Sequence, residues 1–539
     1  MESRVSLILV LLAMALPSTL NGQEIGSEDV LAGLSNPARW LSYSGDYTGQ
    51  RHSPLAQVTA ANVEDLEAQW TFQTGVSGHK FEATPIVVDG ILYVTGPMNN
   101  AWAIDGKTGR ELWRYQYTLP PREELRVCCG MVNRGFAIHG DRLYMNTLDA
   151  HLVALDRETG EEVWNVELAN HEEGYASTGA PLIVDDKLIV GISGGEYAIR
   201  GFLDAYDPDD GSLIWRFYTI PGPGQPGHDT WPAEIDSWER GGGPTWLTGT
   251  YDPDLNLLFW TTGNPNPDFY GDDRTGDNLY TNSLIALDLD TGTLRWHYQF
   301  TPFDEHDWDA NQIPMLVNTT VDGRQRQVVM VANRNGFFYL LDRATGQYLN
   351  AFAYINQTWA EGIGDDGRPI EIPGQRPTPE GTLTCPDLFG GTNFMSPSYD
   401  ASLGLFYVTA RETCQIYIST EPPENYKAGD RTMGGSARFL EDGRYGALRA
   451  INPLTGETVW ELTHPTPSWA GIVSTAGGVV FSGDNEGYFI AADSRTGQEL
   501  FRYQMGAPIY AAPTTYTIDG RQYVTLVAGA VVTSFALPQ

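Results

Sequence analysis

Along this chain apolar and polar residues alternate in short runs, the pattern of β-strands packed in a sheet. Such runs are PIVVDGILYVTG at 85–96, FAIHGDRLYMN at 136–146, PLIVDDKLIVG at 181–191, RQVVMVANRNGFFYLLD at 326–342 and GGVVFSGDNEGYFIAAD at 477–493. A second pattern is interleaved with them. AIDGKTGRELW (103–113), ALDRETGEEVW (154–164), AYDPDDGSLIW (205–215), ALDLDTGTLRW (286–296) and AINPLTGETVW (450–460) share one template: Asp or Asn, three residues, Gly, then Trp four residues later. LLDRATGQYLN (340–350) and AADSRTGQELF (491–501) are degenerate copies, and EDLEAQW (64–70) offers Trp70 in the same role without the turn. Each copy reads as a strand ending in a tight turn, followed by a strand whose aromatic residue docks on a neighbour.

The first residue of the template falls at 105, 156, 207, 288, 342, 452 and 493. A unit of about 40–50 residues is the length of a four-stranded propeller blade. Eight aromatic-docking positions therefore predict an all-β, eight-bladed β-propeller, with the first strands and TYTIDGRQYVTLVAG (515–529) closing the ring. That architecture lets one domain, 23–539, absorb a length that otherwise suggests several cores. Two spacings exceed a blade and predict insertions capping one end of the ring near 221–243, 362–391 and 421–446. Repeats of this kind build scaffolds as readily as enzymes, so the fold alone assigns no activity.

Composition narrows the function classes. The 539 residues include 59 Gly, 15 Trp and 27 Tyr with 19% charged residues, which suits a globular β-protein. A formal net charge of −35 excludes nucleic acid and anionic membrane surfaces as partners, since both would repel it. The start, MESRVSLILVLLAMALPSTLNGQE, carries Arg4 before an apolar run and reads as a signal peptide over 1–22, predicting export. The run is shorter than the roughly 20 residues a spanning helix needs, and no later segment resembles a membrane span. In an exported chain the four cysteines allow two disulfides in three pairings. The adjacent Cys128 and Cys129 can each take a distant partner or close on each other; if Cys385 pairs with Cys414, only the vicinal ring remains.

Candidate chemistry concentrates in FDEHDWDAN at 303–311, where Asp307 and Asp309 flank Trp308. Such a cluster is either a solvated acidic face or a site for a hard cation, to which aspartates at i and i+2 point together. Six stretches decide the matter: VCCGMVNRG (127–135), SGGEYAIRG (193–201), GGGPTWLTGTYDP (241–253), GNPNPDFYGDDRTGDNLYTNS (263–283), DEHDWDAN (304–311) and NRNGFFYLLDR (333–343). Together they resemble the soluble pyrroloquinoline quinone (PQQ)-dependent alcohol dehydrogenases of the methanol and ethanol dehydrogenase type.

The resemblance implies a quinone sandwiched between a Cys128–Cys129 ring and Trp246. It implies polar contacts from Glu82, Arg134, Thr178, Ser193, Gly194, Gly195, Arg334 and Asn393, and an edge contact from Trp469. It further implies a metal held by Glu196, Asn264, Asp307 and Asp309, all oxygen donors suited to a hard ion. The extra carboxylate of Asp309 points to one lanthanide ion, with calcium as the alternative. Asp307 takes the catalytic role, removing the alcohol proton as hydride passes to PQQ, and Trp308 is expected to shape the substrate cavity. The implied activity is periplasmic oxidation of primary alcohols to aldehydes. No C-x-x-C-H haem motif occurs, so electrons pass to a separate soluble cytochrome c, and the chain has the option of a homodimer. Departures from the methanol enzymes at Pro244-Thr245, Gly195 and the C-terminal AGAVVTSFALPQ move it towards the broader ethanol-type group. A cofactor-free scaffold and a PQQ-dependent polyol or sugar dehydrogenase are the rival readings.

Overall fold

The computed structural model describes residues 25–440 and 442–539, so the expected signal peptide lies outside the described residues. Eight sheets of four or five strands follow one another, with strands within 86–116, 137–167, 182–218, 250–299, 315–353, 398–464, 473–504 and 514–536. Within each, neighbouring strands are antiparallel and in chain order, apart from the insertion inside 398–464 and the N-terminal strands that join 473–504 and 514–536. The chain is a β-propeller. Sheets packed face to face bury both sides of their inner strands, which is why the runs are so uniformly apolar. Leu92, Tyr93 and Val94 of Ile91–Gly96 are all buried, as are Val329, Met330 and Val331 of Arg324–Ala332.

The repeat turns have a common construction. Asp105 Oδ1 accepts hydrogen bonds from the Thr108 amide (2.9 Å) and hydroxyl (2.8 Å), and Gly109 follows at φ +73°. A Cβ on Gly109 would lie 2.7 Å from the indole of Trp70, whose Nε1 donates to Gly106 O at 3.1 Å. The glycine is thus required twice, for its left-handed backbone and for the indole's approach. Trp113 docks in the same way on Gly160, Trp215 on Gly292 and Trp460 on Gly497, each donating Nε1 to a backbone carbonyl at 2.9–3.0 Å. Trp164 and Trp296 pack on Gly211 and Gly346 without that hydrogen bond. In the degenerate copy at 340–350 the docking aromatic is Phe352, two residues beyond the template position, against Gly456. Phe501 packs on Phe535 of the following sheet, with ring centroids 6.3 Å apart.

Closure joins distant parts of the chain. Glu67–Gln73 pairs antiparallel with Val531–Ala536 and completes the sheet built from Thr514–Ile518 and Arg521–Ala528. His52–Ser53 adds a parallel edge to Val473–Thr475. The three expected insertions are ordered. Residues 221–243 contain two 3-10 turns, His228–Thr230 and Ser237–Arg240. Ala360–Ile363 and Pro369–Glu371 form a hairpin, while Thr382–Thr384, Gln415–Ser419 and Gly435–Phe439 form a three-stranded sheet. A Cys385–Cys414 disulfide fastens two adjacent strands of that sheet.

Gly292→Ala places a methyl 2.6 Å from the Trp215 ring at φ +66°, whereas Gly506→Ala meets the left-handed penalty alone, with nothing within 4 Å. Thermal unfolding should drop by several degrees more for Gly292→Ala than for Gly506→Ala, since the backbone term of about 1–3 kcal/mol is common to both.

Candidate active site

The loop at 303–311 leads from the outer strand Leu294–Gln299 to Met315–Val321, and Asp304 sets its course. Its carboxylate accepts from the His306 amide at 2.9 Å and the Trp308 amide at 2.8 Å. Burial pushes the Asp304 carboxyl up, but the hydrogen bonds and the His306 imidazole prevail and hold it below the usual range. Asp307 sits at φ +60°, a left-handed backbone uncommon outside glycine. Trp308 corrects its expectation. It is wholly buried, stacked on His306 at 4.1 Å, tilted against Trp359 at 5.2 Å and donating Nε1 to Asp387 O at 3.1 Å. It anchors the loop in the core and lines no cavity.

Asp309 is also buried and is held at three points. Oδ1 accepts from the Asn264 amide at 2.9 Å, and Oδ2 accepts from Trp246 Nε1 at 3.0 Å and Arg334 Nη1 at 2.6 Å. A Cβ on Gly263 would stand 2.2 Å from Asp309 Oδ1, so glycine there lets the carboxylate reach the strand end. The Arg334 guanidinium spans the pair, with Nη2 3.5 Å from Asp307 Oδ1. Leu388 O receives Arg334 Nε and Nη2 at 3.1 and 2.5 Å, so the insertion behind it fixes the guanidinium plane.

Glu196 follows Gly194, which is at φ +119°, on the turn after Lys187–Gly191. Its backbone carbonyl receives the Thr432 amide at 2.7 Å, and Thr432 O receives Asn266 Nδ2 at 2.7 Å. The 421–446 insertion thereby stitches the Glu196 turn to the loop carrying Asn264. The Cys128–Cys129 disulfide is formed, and its sulfurs lie within 4.8 Å of the Glu196 carboxylate. As a disulfide it offers no thiolate to a metal. Tyr197 OH donates to Val127 O at 3.3 Å and holds the two segments together.

Electrostatically the cluster is unbalanced. Burial raises the Glu196 carboxyl, and Asp309 adds to the shift. Asp307 is driven well above the carboxylate range by burial; Arg334 opposes this, while Asp268, Asp309 and Glu196 reinforce it. Asp268 is raised by burial and by Glu196, and the sequence reading overlooked it. The available signal was an acid four residues beyond Asn264 in GNPNPDFYG.

The remaining expected residues divide. Arg134 pairs with Glu82 at 2.8 Å, donates to Thr178 Oγ1 at 2.7 Å, and lies 4.7 Å above the centroid of the Trp246 ring. Trp246 and Trp469 border one apolar cluster with Phe394, on which Trp469 stacks at 5.7 Å. Ser193 turns its hydroxyl to Ala176 O at 2.8 Å, and Asn393 bonds Phe389 O and the Phe394 amide. Both shape the backbone around them. Gly195 leaves room beside Pro244, and a Cβ there would lie 3.8 Å from Asn264 Oδ1.

These groups suit a flat, acidic quinone and a hard cation. Arg134, with its Nε buried and unpartnered, faces an indole and can take a carboxylate, while the excess of buried carboxylates calls for an ion. The fold and site together define a quinoprotein dehydrogenase propeller. The family model for the glucose/ethanol/alcohol dehydrogenase β-propeller domain with PQQ matches residues 40–354 and 442–524. The chain is 36% identical to the quinoprotein alcohol dehydrogenase PedH of Pseudomonas putida, over 97% of this chain and 91% of that protein. It is equally 36% identical to a lanthanide-dependent methanol dehydrogenase of Methylacidiphilum fumariolicum, over 92% of this chain and 85% of that one. A europium-containing methanol dehydrogenase superposes with a TM-score of 0.89 at 33% identity, covering 95% of this chain and all of the other. The chain belongs to the PQQ-dependent alcohol dehydrogenase family.

Removing Arg334 leaves Asp307 and Asp309 buried without their cation. Arg334→Met should lower the unfolding temperature of the metal-free protein, by an amount matching about 3–5 kcal/mol, and adding Asp309→Asn should restore part of it.

Proposed function

We propose that the protein oxidises primary alcohols to aldehydes with Asp307 as the base. The observation that carries this is the Asp307 carboxyl itself: buried, on a left-handed backbone, and with Arg334 Nη2 3.5 Å from its Oδ1. When bound, PQQ supplies the hydride acceptor and the ion polarises its reactive carbonyl. Glu196, Asn264, Asp307 and Asp309 would hold the ion. Trp246, Arg134, Arg334 and the Cys128–Cys129 ring would hold the quinone, with Glu82, Thr178, Ser193, Gly194, Gly195, Asn393 and Trp469 around it. Asp307 Oδ accepts the alcohol's hydroxyl proton, Arg334 keeps that carboxylate oriented, and the insertions exclude water.

The third carboxylate among the ligands favours a trivalent lanthanide over calcium. The relatives named for lanthanide and europium support the same choice. The eight four- and five-stranded sheets, each passing an aromatic to the next, support a ring of eight blades formed by residues 23–539 with its cap insertions. We place the protein in the periplasm behind a signal peptide over 1–22. There the net charge of −35 would attract the basic rim of a cytochrome c acceptor.

Metal-free protein reconstituted with PQQ and either calcium or a light lanthanide, assayed on a panel of alcohols and polyols with a dye acceptor, tests this reading. Turnover of primary alcohols with the lanthanide is expected; turnover of polyols alone would favour the rival substrate class. Asp307→Asn should retain PQQ, seen by its absorbance, while turnover falls by about 10²–10⁴-fold. Asp309→Ala should shift activation from lanthanide towards calcium, read as the ratio of rates with the two ions.

A further inference from the structure

Asp268 takes no part in the ligand set above, yet it is wholly buried at the base of the same cluster. Its Oδ1 accepts from Asn264 Nδ2 at 3.0 Å, and its Oδ2 has no hydrogen-bond partner. The nearby Arg274 acts on it only through space. That guanidinium is spent on Pro267 O, Asn278 Oδ1 and Asp304 O, at 2.6–3.2 Å. Asn264 ties it to the site directly, since its backbone amide is held by Asp309 Oδ1 at 2.9 Å while its side-chain amide is held by Asp268. A buried carboxylate oxygen with no donor is costly, and among like charges it is costlier.

Asp268 also settles the Asn264 amide. A backbone carbonyl accepts only, so the atom that meets Pro265 O at 3.1 Å is the amide nitrogen, which Asp268 Oδ1 also receives at 3.0 Å. Asn264 Oδ1 is thereby turned the other way, towards Gly195 and the Glu196 turn. We infer that Asp268 is a fourth carboxylate of the cation site, fixing Asn264 Oδ1 towards the ion with one oxygen and presenting the other as a further donor. The inference rests on the metal-site reading given above. Asp268 would bring the carboxylates of the site from three to four, and each added anionic oxygen donor favours a trivalent ion over a divalent one.

Terbium binding to the PQQ-loaded, chelator-stripped enzyme, followed by tryptophan-sensitised luminescence, tests this without reference to turnover. Asp268→Asn should weaken terbium by roughly tenfold or more while changing calcium, measured by competition, much less. Europium lifetimes in H₂O and D₂O should show one additional bound water in Asp268→Ala. Stability separates this role from a merely structural one. Metal-free Asp268→Asn should unfold no lower than the metal-free parent, because a buried acid crowded by like groups is gone, but should gain less from added lanthanide. A variant that binds terbium as the parent does, with the same water number, overturns the role of Asp268 and leaves the metal site standing. A variant destabilised equally with and without metal also overturns it. A parent that binds no terbium and no calcium overturns the metal-site reading together with this inference.

Discussion

Repulsion among carboxylates taken out of water governs the centre of this molecule. Glu196, Asp268 and Asp307 are each pushed towards the protonated form by burial and by neighbouring carboxylates, against which Arg334, Arg274 and Arg431 act. A flexible loop would relieve such a cluster by turning its acids to solvent. Here each acid's backbone is pinned: Asp307 and Asp309 by the Asp304 turn and the buried Trp308, Glu196 by Thr432, and Asn264 with Asp268 by the strand end and residues 432–433. The scaffold's stability is what keeps the acids together until a cation arrives.

That scaffold is built from a local rule repeated around a ring. An indole lies on a glycine that can take no side chain, and an aspartate or asparagine closes the turn beneath it. The insertions then act from outside the repeats. They back Arg334 through Leu388 O, receive Trp308 through Asp387 O and join the Glu196 turn to the Asn264 loop through Thr432. Blade and cap therefore have separate tasks, one giving rigidity and the other bringing charged groups to one place.

The parts legible in the sequence are those with a short-range signature. The Asp-x-x-Thr-Gly turns, the docking tryptophans, the closing strand at Trp70 and the acid pair at 307 and 309 could each be read from spacing. Phe352 escaped because an aromatic two positions late breaks the template although it fills the same space. Trp308 was misplaced because its neighbours on both sides belong to the site, whereas its own ring packs on His306 and Trp359, contacts that spacing does not record. Asp268 escaped because its importance comes from Glu196 and Asp309, distant in sequence, and from the lack of a donor, which no spacing records. Within residues 429–434 the stitching uses backbone amides and carbonyls, at Gly429, Thr432 and Met433, so their side chains give no sign of it.

The sheet shared by Glu67–Gln73 and Val531–Ala536 fixes an order of events during synthesis. A chain emerging from its N-terminus can stack one sheet after another by short-range contacts, but residues 67–73 have no partner until residues 531–536 exist. The entropy of bringing those ends together grows only logarithmically with the intervening length, so the delay is one of time more than of free energy. Until then the nascent protein is an open arc with exposed strand edges at both ends, which is the stage at which a holding chaperone would matter most.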